Sequence, residues 1–161
     1  MTEREFFLER RAAEFGAFDR VIGALPQDQF DYRPHARSQS AREIVWTLAA
    51  ETRACSEMID AGCIDWHHQP PSGTPAELVL DFRRSYEALS KRAAALDDTD
   101  WHRQVRFLVE GTLMQAPPLG QFLWYLFFDA IHHRGQLSTY IRPMGGKVPS
   151  IYGPSGDDQG G

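Results

Sequence analysis

The stretch LGQFLWYLFFDAIHHRGQLSTYIR, residues 119–142, decides the fold. It lies between Pro117-Pro118 and Pro143 and contains no proline, so nothing interrupts an α-helix from Leu119 to Arg142. Leu119, Phe122, Leu123, Trp124, Leu126, Phe127, Phe128 and Ile131 cover almost its whole circumference. A helix apolar all round is enclosed by other elements or also packs on a partner chain. The apolar run ends at Asp129 and His132-His133-Arg134, far short of the roughly 20 residues that span a bilayer.

Working outward, three more long helical patterns precede it. Residues 2–25 end at Pro26 and carry Leu8, Ala12, Phe15, Phe18, Ile22 and Leu25 at helical spacing, with Glu3 and Glu5 suited to the dipole of the first turn. Residues 40–61 open with a Ser40/Glu43 capping box, close at Gly62, and place Ile44, Leu48, Glu51, Cys55, Met58 and Ile59 on one face. Residues 74–96 start with Thr74 as cap, Pro75 in the first turn and Glu77 after it, and align Leu78, Phe82, Tyr86, Leu89, Ala93 and Leu96. Between the third and fourth patterns, Val105, Phe107 and Val109 alternate before Gly111, which reads as a small β-hairpin within Gln104–Ala116. Asp65–Gly73 reads as a loop, and 145–161 as an extended or partly disordered Gly/Pro-rich tail. The expected architecture is all-α: a single-domain antiparallel four-helix bundle over 1–161, with that hairpin between helices three and four.

A chain of 161 residues with 42% hydrophobic content is long enough and apolar enough for one real core. Its net charge of −5 and lack of a basic cluster argue against nucleic acid as a partner. The opening MTEREFFLERR has no apolar signal region, so a cytoplasmic protein with no membrane partner is expected. Cys55 and Cys63 on one helix would stand roughly 12 Å apart, too far for a disulfide.

Chemistry in a bundle is built from polar residues facing inward. Asp129 and His133 are four apart on the last helix and share one face with Phe122 and Leu126, a face that meets Gln136. Thr47 and Glu51 are four apart on the second helix, and Glu51 falls inside an apolar stripe. A buried carboxylate needs an Arg, a proton or a metal. Glu51 is therefore a metal ligand or general base, or else it pairs with Arg134, Arg142 or Arg53 or sits in solvent at the stripe edge. With the two helices face to face, Glu51, Asp129 and His133 form an O,O,N set suited to Zn²⁺, Ni²⁺, Fe²⁺ or Mn²⁺, with Thr47 and Gln136 lining the pocket. The bland reading of His133 is a hydrogen-bonded core histidine. His132 points about 100° away from His133. His67 and His68 lie in a loop, at a pocket mouth or on the surface, and His35 and His102 read as surface residues.

Asp129-Ala130-Ile131-His132-His133-Arg134-Gly135-Gln136-Leu137, then Tyr140-x-Arg142 and the tail Val148-Pro149-Ser150-Ile151-Tyr152-Gly153-Pro154-Ser155, resemble the DinB/YfiT-like superfamily of four-helix-bundle metalloenzymes. The resemblance extends over nearly the whole chain. It implies a divalent ion on three histidines, one on the second helix and an H-x-x-x-H pair on the last. Here His133 matches one of the pair, Asp129 stands at the other, and Thr47 stands at the second-helix position. Either the site is rebuilt with Glu51 and Asp129, or the ion is lost and Thr47, Asp129 and His133 form a hydrogen-bonded cluster. The resemblance further implies a thiol-dependent S-transferase or isomerase acting on a small molecule with a low-molecular-weight thiol. The alternative is a ligand-binding or structural dimer without the metal. A homodimer is expected in either case, because Trp124, Tyr125, Phe127 and Phe128 add apolar surface beyond the stripe a monomer needs.

Overall fold

A computed structural model describes residues 1–160. Four long helices, α1 (Glu3–Gly23), α2 (Ala41–Ala61), α3 (Pro75–Ala94) and α5 (Leu119–Tyr140), form the antiparallel bundle; a short α4 (Asp98–His102) follows α3. Helix α2 packs on α3 and α5, and α1 packs on the same two. Capping boxes start the first three long helices at Thr2/Glu5, Ser40/Glu43 and Thr74/Glu77, and Gly62 ends α2 in the left-handed conformation that favours glycine. Among the described residues, no helix is long and apolar enough to cross a membrane.

The expected hairpin is present as β2 (Arg106–Val109) and β3 (Thr112–Gln115). Its two-residue turn, Glu110-Gly111, has positive φ at both positions, the conformation that matches strand twist. The segment read as loop from Asp65 onward is corrected at its start. Cys63–Trp66 form a strand, β1, parallel to β2, with Asp65 opposite Leu108 and Trp66 opposite Val109. The Asp65 carboxylate also accepts from the Gly111 amide at 3.0 Å, pinning the turn to β1. The pairing is long-range, so nothing local in residues 63–66 announces it.

The stripe read along α1 is also corrected. Ala12 is exposed, and the buried face runs through Phe7, Arg11, Phe18, Val21 and Ile22. Arg11 enters the core because its guanidinium lies 3.9 Å from the Tyr86 ring centre and donates to the Tyr86 carbonyl at 3.2 Å. The tail is ordered by specific bonds: Arg20 Nε donates to the Ser150 carbonyl at 2.9 Å, and Arg142 pairs with Asp157. Cys55 is buried, Cys63 is exposed, and both are free thiols.

Gly120 sets the approach of α4 to α5. A Cβ there would fall 2.2 Å from a ring carbon of Trp101, which is fully buried. Gly120→Ala is expected to destabilise the fold by about 1–3 kcal/mol through this overpacking. Urea unfolding followed by fluorescence measures it, and an unchanged midpoint would mean that the indole moves at no cost.

Candidate metal centre

Helices α2 and α5 bring the three sequence-selected residues together. One ligand atom from each of Glu51, Asp129 and His133 lies within 4.8 Å of the others. The α-helical period puts Asp129 and His133 one turn apart on α5, and α2 supplies Glu51 from across the interface. Only 12% of the His133 side chain is exposed, against 38% for Asp129. None of the arginines considered as partners for Glu51 is available to it: Arg134 pairs with Glu14, Arg142 with Asp157 and Arg53 with Asp81.

The hydrogen bonds leave a hole that a cation fits. His133 Nδ1–H donates to Gln136 Oε1 at 2.8 Å. That fixes the ring and turns Nε2 toward Asp129 Oδ2, 3.5 Å away. An imidazole lone pair facing a carboxylate oxygen is repulsive unless a proton or a cation lies between them. Glu51 Oε2 is buried and has no hydrogen-bond partner. Burial pushes the Glu51 carboxyl up to about 9, helped by the charge of Asp129 and the hydrogen bond to it. Without an ion, then, the Glu51 carboxyl keeps its proton at neutral pH. With one, two carboxylates and a neutral imidazole are the donors a divalent transition metal takes, and Gln136 is the outer partner that holds a ligating histidine in its tautomer.

The other residues divide clearly. Thr47 Oγ1 donates to the Glu43 carbonyl one turn back, at 2.9 Å, so its hydroxyl is engaged within α2. Thr47, Glu51 and Asp129 line a cavity of about 490 Å³, within the usual size of small-molecule sites. Gln136 is not among its lining residues and acts from behind His133. His68 does border the mouth, beside Pro70 and Pro71, whereas exposed His67 bonds Glu110 at 3.0 Å. His35, His102 and His132 are exposed. Sequence reading missed the aromatic walls, Trp46, Trp66, Phe107 and Tyr125. Trp46 and Trp66 meet edge-on with ring centres 6.4 Å apart, a contact that depends on the unforeseen β1.

A four-helix bundle with an acceptor cluster of which Glu51 and Asp129 line a cavity, and His133 does not, is the class of protein this defines. The DinB family model matches residues 2–159, and the chain belongs to that family. The uncharacterized protein YrdA of Bacillus subtilis is 23% identical over 154 residues, covering 96% of this chain and 90% of the relative. A DinB-like protein of Bacillus cereus superposes with a TM-score of 0.73 at 18% identity, covering 92% of this chain and 97% of that one. A DinB-like protein of Bacillus subtilis gives 0.68 at 18% identity, covering 86% and 92%. The mycothiol-dependent maleylpyruvate isomerase gives 0.63 at 11% identity; 89% of this chain matches 61% of that longer one. At these identities the likeness establishes a shared fold.

Proposed function

We propose that this protein is a divalent-metal-dependent enzyme whose ion is held by Glu51, Asp129 and His133 beneath the aromatic cavity. The observation that carries the reading is the acceptor cluster: an orphaned Glu51 oxygen, Asp129 and a tautomer-fixed His133 converge, each offering a ligand atom within 4.8 Å of the others. When bound, the ion supplies Lewis acidity and lowers the pKa of a water or thiol beside it. Of the two roles open to Glu51, ligand is favoured. A carboxyl that holds its proton up to about 9 is no base at neutral pH until something displaces that proton. Gln136 orients His133, and Thr47, whose hydroxyl donates to the Glu43 carbonyl and is as a neutral oxygen a poor metal ligand, contributes cavity wall. For the reaction we infer S-transfer or isomerisation assisted by a low-molecular-weight thiol, by analogy with the mycothiol-dependent isomerase that shares the fold. The site residues favour no one ion among Zn²⁺, Ni²⁺, Fe²⁺ and Mn²⁺.

Untagged protein, stripped with chelator and titrated calorimetrically with each ion, is expected to bind about one ion per chain through the three donors. Asp129→Ala and His133→Ala should each abolish the binding. No binding by the native protein, or unchanged stoichiometry in both variants, would favour the alternative of an ion-free ligand-binding or structural dimer.

We also propose the homodimer. Phe6, Trp124 and Phe128 leave an apolar groove between α1 and α5, with Phe6 44% and Phe128 62% exposed. Glu3, Arg10 and Glu14, all on α1, give this groove charges of both signs, as a two-fold contact of the face with itself needs. Phe128→Glu should convert a dimer to a soluble monomer in light scattering at micromolar concentration. A native mass near 18.3 kDa would remove the proposal.

A further inference from the structure

The cavity above the triad has a charge character of its own. Its wider part is walled by Trp46, Trp66, Phe107 and Tyr125, and Glu43 stands on its lining. Among the described residues no lysine or arginine lines it. The nearby cation, Arg33, points its Nη2 at Glu43 Oε2, 3.2 Å away, so it is held off the lining and offsets only part of that carboxylate's charge. Arg42 bonds Asp31 and the Gly73 carbonyl instead. Among the described residues the one basic side chain on the lining is the His68 imidazole at the mouth, whose backbone amide is tied to Glu110. Glu43 is held ionised, below the usual carboxylate range, chiefly by the Ser40 amide. A divalent ion on Glu51 and Asp129 would cancel those two carboxylates and add no surplus positive charge.

An anionic group entering this space would lose its water and meet aromatic side chains and carboxylates, with no lysine or arginine on the lining to receive it. A cation meets tryptophan side chains, the strongest π partners, with the Glu43 carboxylate on the same lining. The Trp46–Trp66 corner is built by the β1–β2 pairing and by α2, so it is a fixed feature rather than a loop in search of a partner.

We propose that the cavity selects a small substrate with an aromatic or apolar body and a cationic group, and discriminates against anions of the same shape. The inference rests on reading this cavity as the substrate site of the metal centre, and it concerns the walls rather than the ion.

Three probes with one phenethyl body and head groups of similar size test it: phenethyltrimethylammonium, its neutral carbon isostere (3,3-dimethylbutyl)benzene, and 2-phenylethanesulfonate. Quaternary ammonium and sulfonate groups are poor metal ligands, so the series reports charge preference of the walls. Calorimetry and tryptophan quenching are run on the full chain, once with Zn²⁺ and once with chelator. The expected order is cation, then neutral, then anion, with the cation at least about tenfold tighter than the sulfonate under both conditions. Glu43→Gln keeps a capping side chain at the start of α2 and should narrow the cation-to-anion ratio. Trp66→Ala should weaken the cation several-fold, and Trp66→Phe should restore part of that loss, which separates a binding role from a packing one. Sulfonate binding as tight as the cation, or no probe binding at millimolar concentration, overturns the proposal. If the charge order holds while Zn²⁺ fails to bind, the inference stands and the metal reading falls.

Discussion

In metal-free protein, Glu51→Gln should raise the free energy of unfolding, and the gain should grow with pH. Burial, the Asp129 charge and the hydrogen bond to Asp129 lift the Glu51 carboxyl from 4.5 to about 9. The folded chain therefore keeps a proton that the unfolded chain has released anywhere between those values. The unfolded state then binds fewer protons than the native one, so native stability falls as pH rises through that window. Each pH unit inside it costs up to about 1.4 kcal/mol. Partial access of water to the site reduces the sum, which leaves a difference of about 2–4 kcal/mol by pH 8. Glutamine keeps the volume and a hydrogen bond to Asp129 and cannot ionise, so its slope should be flat. Saturation with ion should reverse the ranking, because an ion at one thousand times its dissociation constant stabilises the wild type by about 4.1 kcal/mol, which exceeds that deficit. Urea unfolding at pH 5, 7 and 9, with chelator and with Zn²⁺, reads both effects. A wild type that is flat with pH in chelator, with the glutamine variant less stable than it, would mean that Glu51 is ionised and paired elsewhere.

The same residue shows what the sequence can and cannot convey. Glu51 is conspicuous because a carboxylate interrupts Ile44, Leu48, Cys55, Met58 and Ile59, and a helical period of 3.6 is enough to expose the anomaly. Asp129 and His133 are legible for the same reason, and so are the helix starts at Ser40 and Thr74, since a cap is a local transaction among four residues. Arg11 was not legible. It occupies an apolar position on α1, and only the Tyr86 ring and carbonyl on another helix explain its burial. Nor was β1, whose partner strand is more than forty residues away, so Trp66 could not be placed opposite Trp46. The ligand candidates were thus readable from single helices. The walls of the cavity above them depend on a contact between distant segments and had to be seen in the fold.

Ion affinity should fall in two grades along α5, with total loss at His133 and partial loss at Gln136. His133→Ala removes a donor atom from a set of three, and nothing equivalent replaces it: the Thr47 hydroxyl is a neutral oxygen and a poor ligand, and His132 is exposed. Gln136 touches the ion's surroundings only through His133 Nδ1, at 2.8 Å. Gln136→Leu keeps similar bulk and deletes the acceptor, so the imidazole is free to turn and to take the other tautomer, which puts a proton on Nε2 where a lone pair is required. Loss of such an outer partner costs about 10–100-fold in affinity. Gln136→Glu restores an acceptor and should recover most of the binding, a rescue that damage to packing would not permit. In wild type the entering ion must also displace the Glu51 proton, so affinity should strengthen about tenfold per pH unit from pH 7 to 8.5, with one proton released. Competition against a chromophoric chelator gives the dissociation constants, and calorimetry in two buffers of different ionisation heat counts the proton. Equal affinity in wild type and Gln136→Leu would show that His133 is not held from Nδ1 when the ion binds. A pH-independent affinity would show that Glu51 is not among the donors.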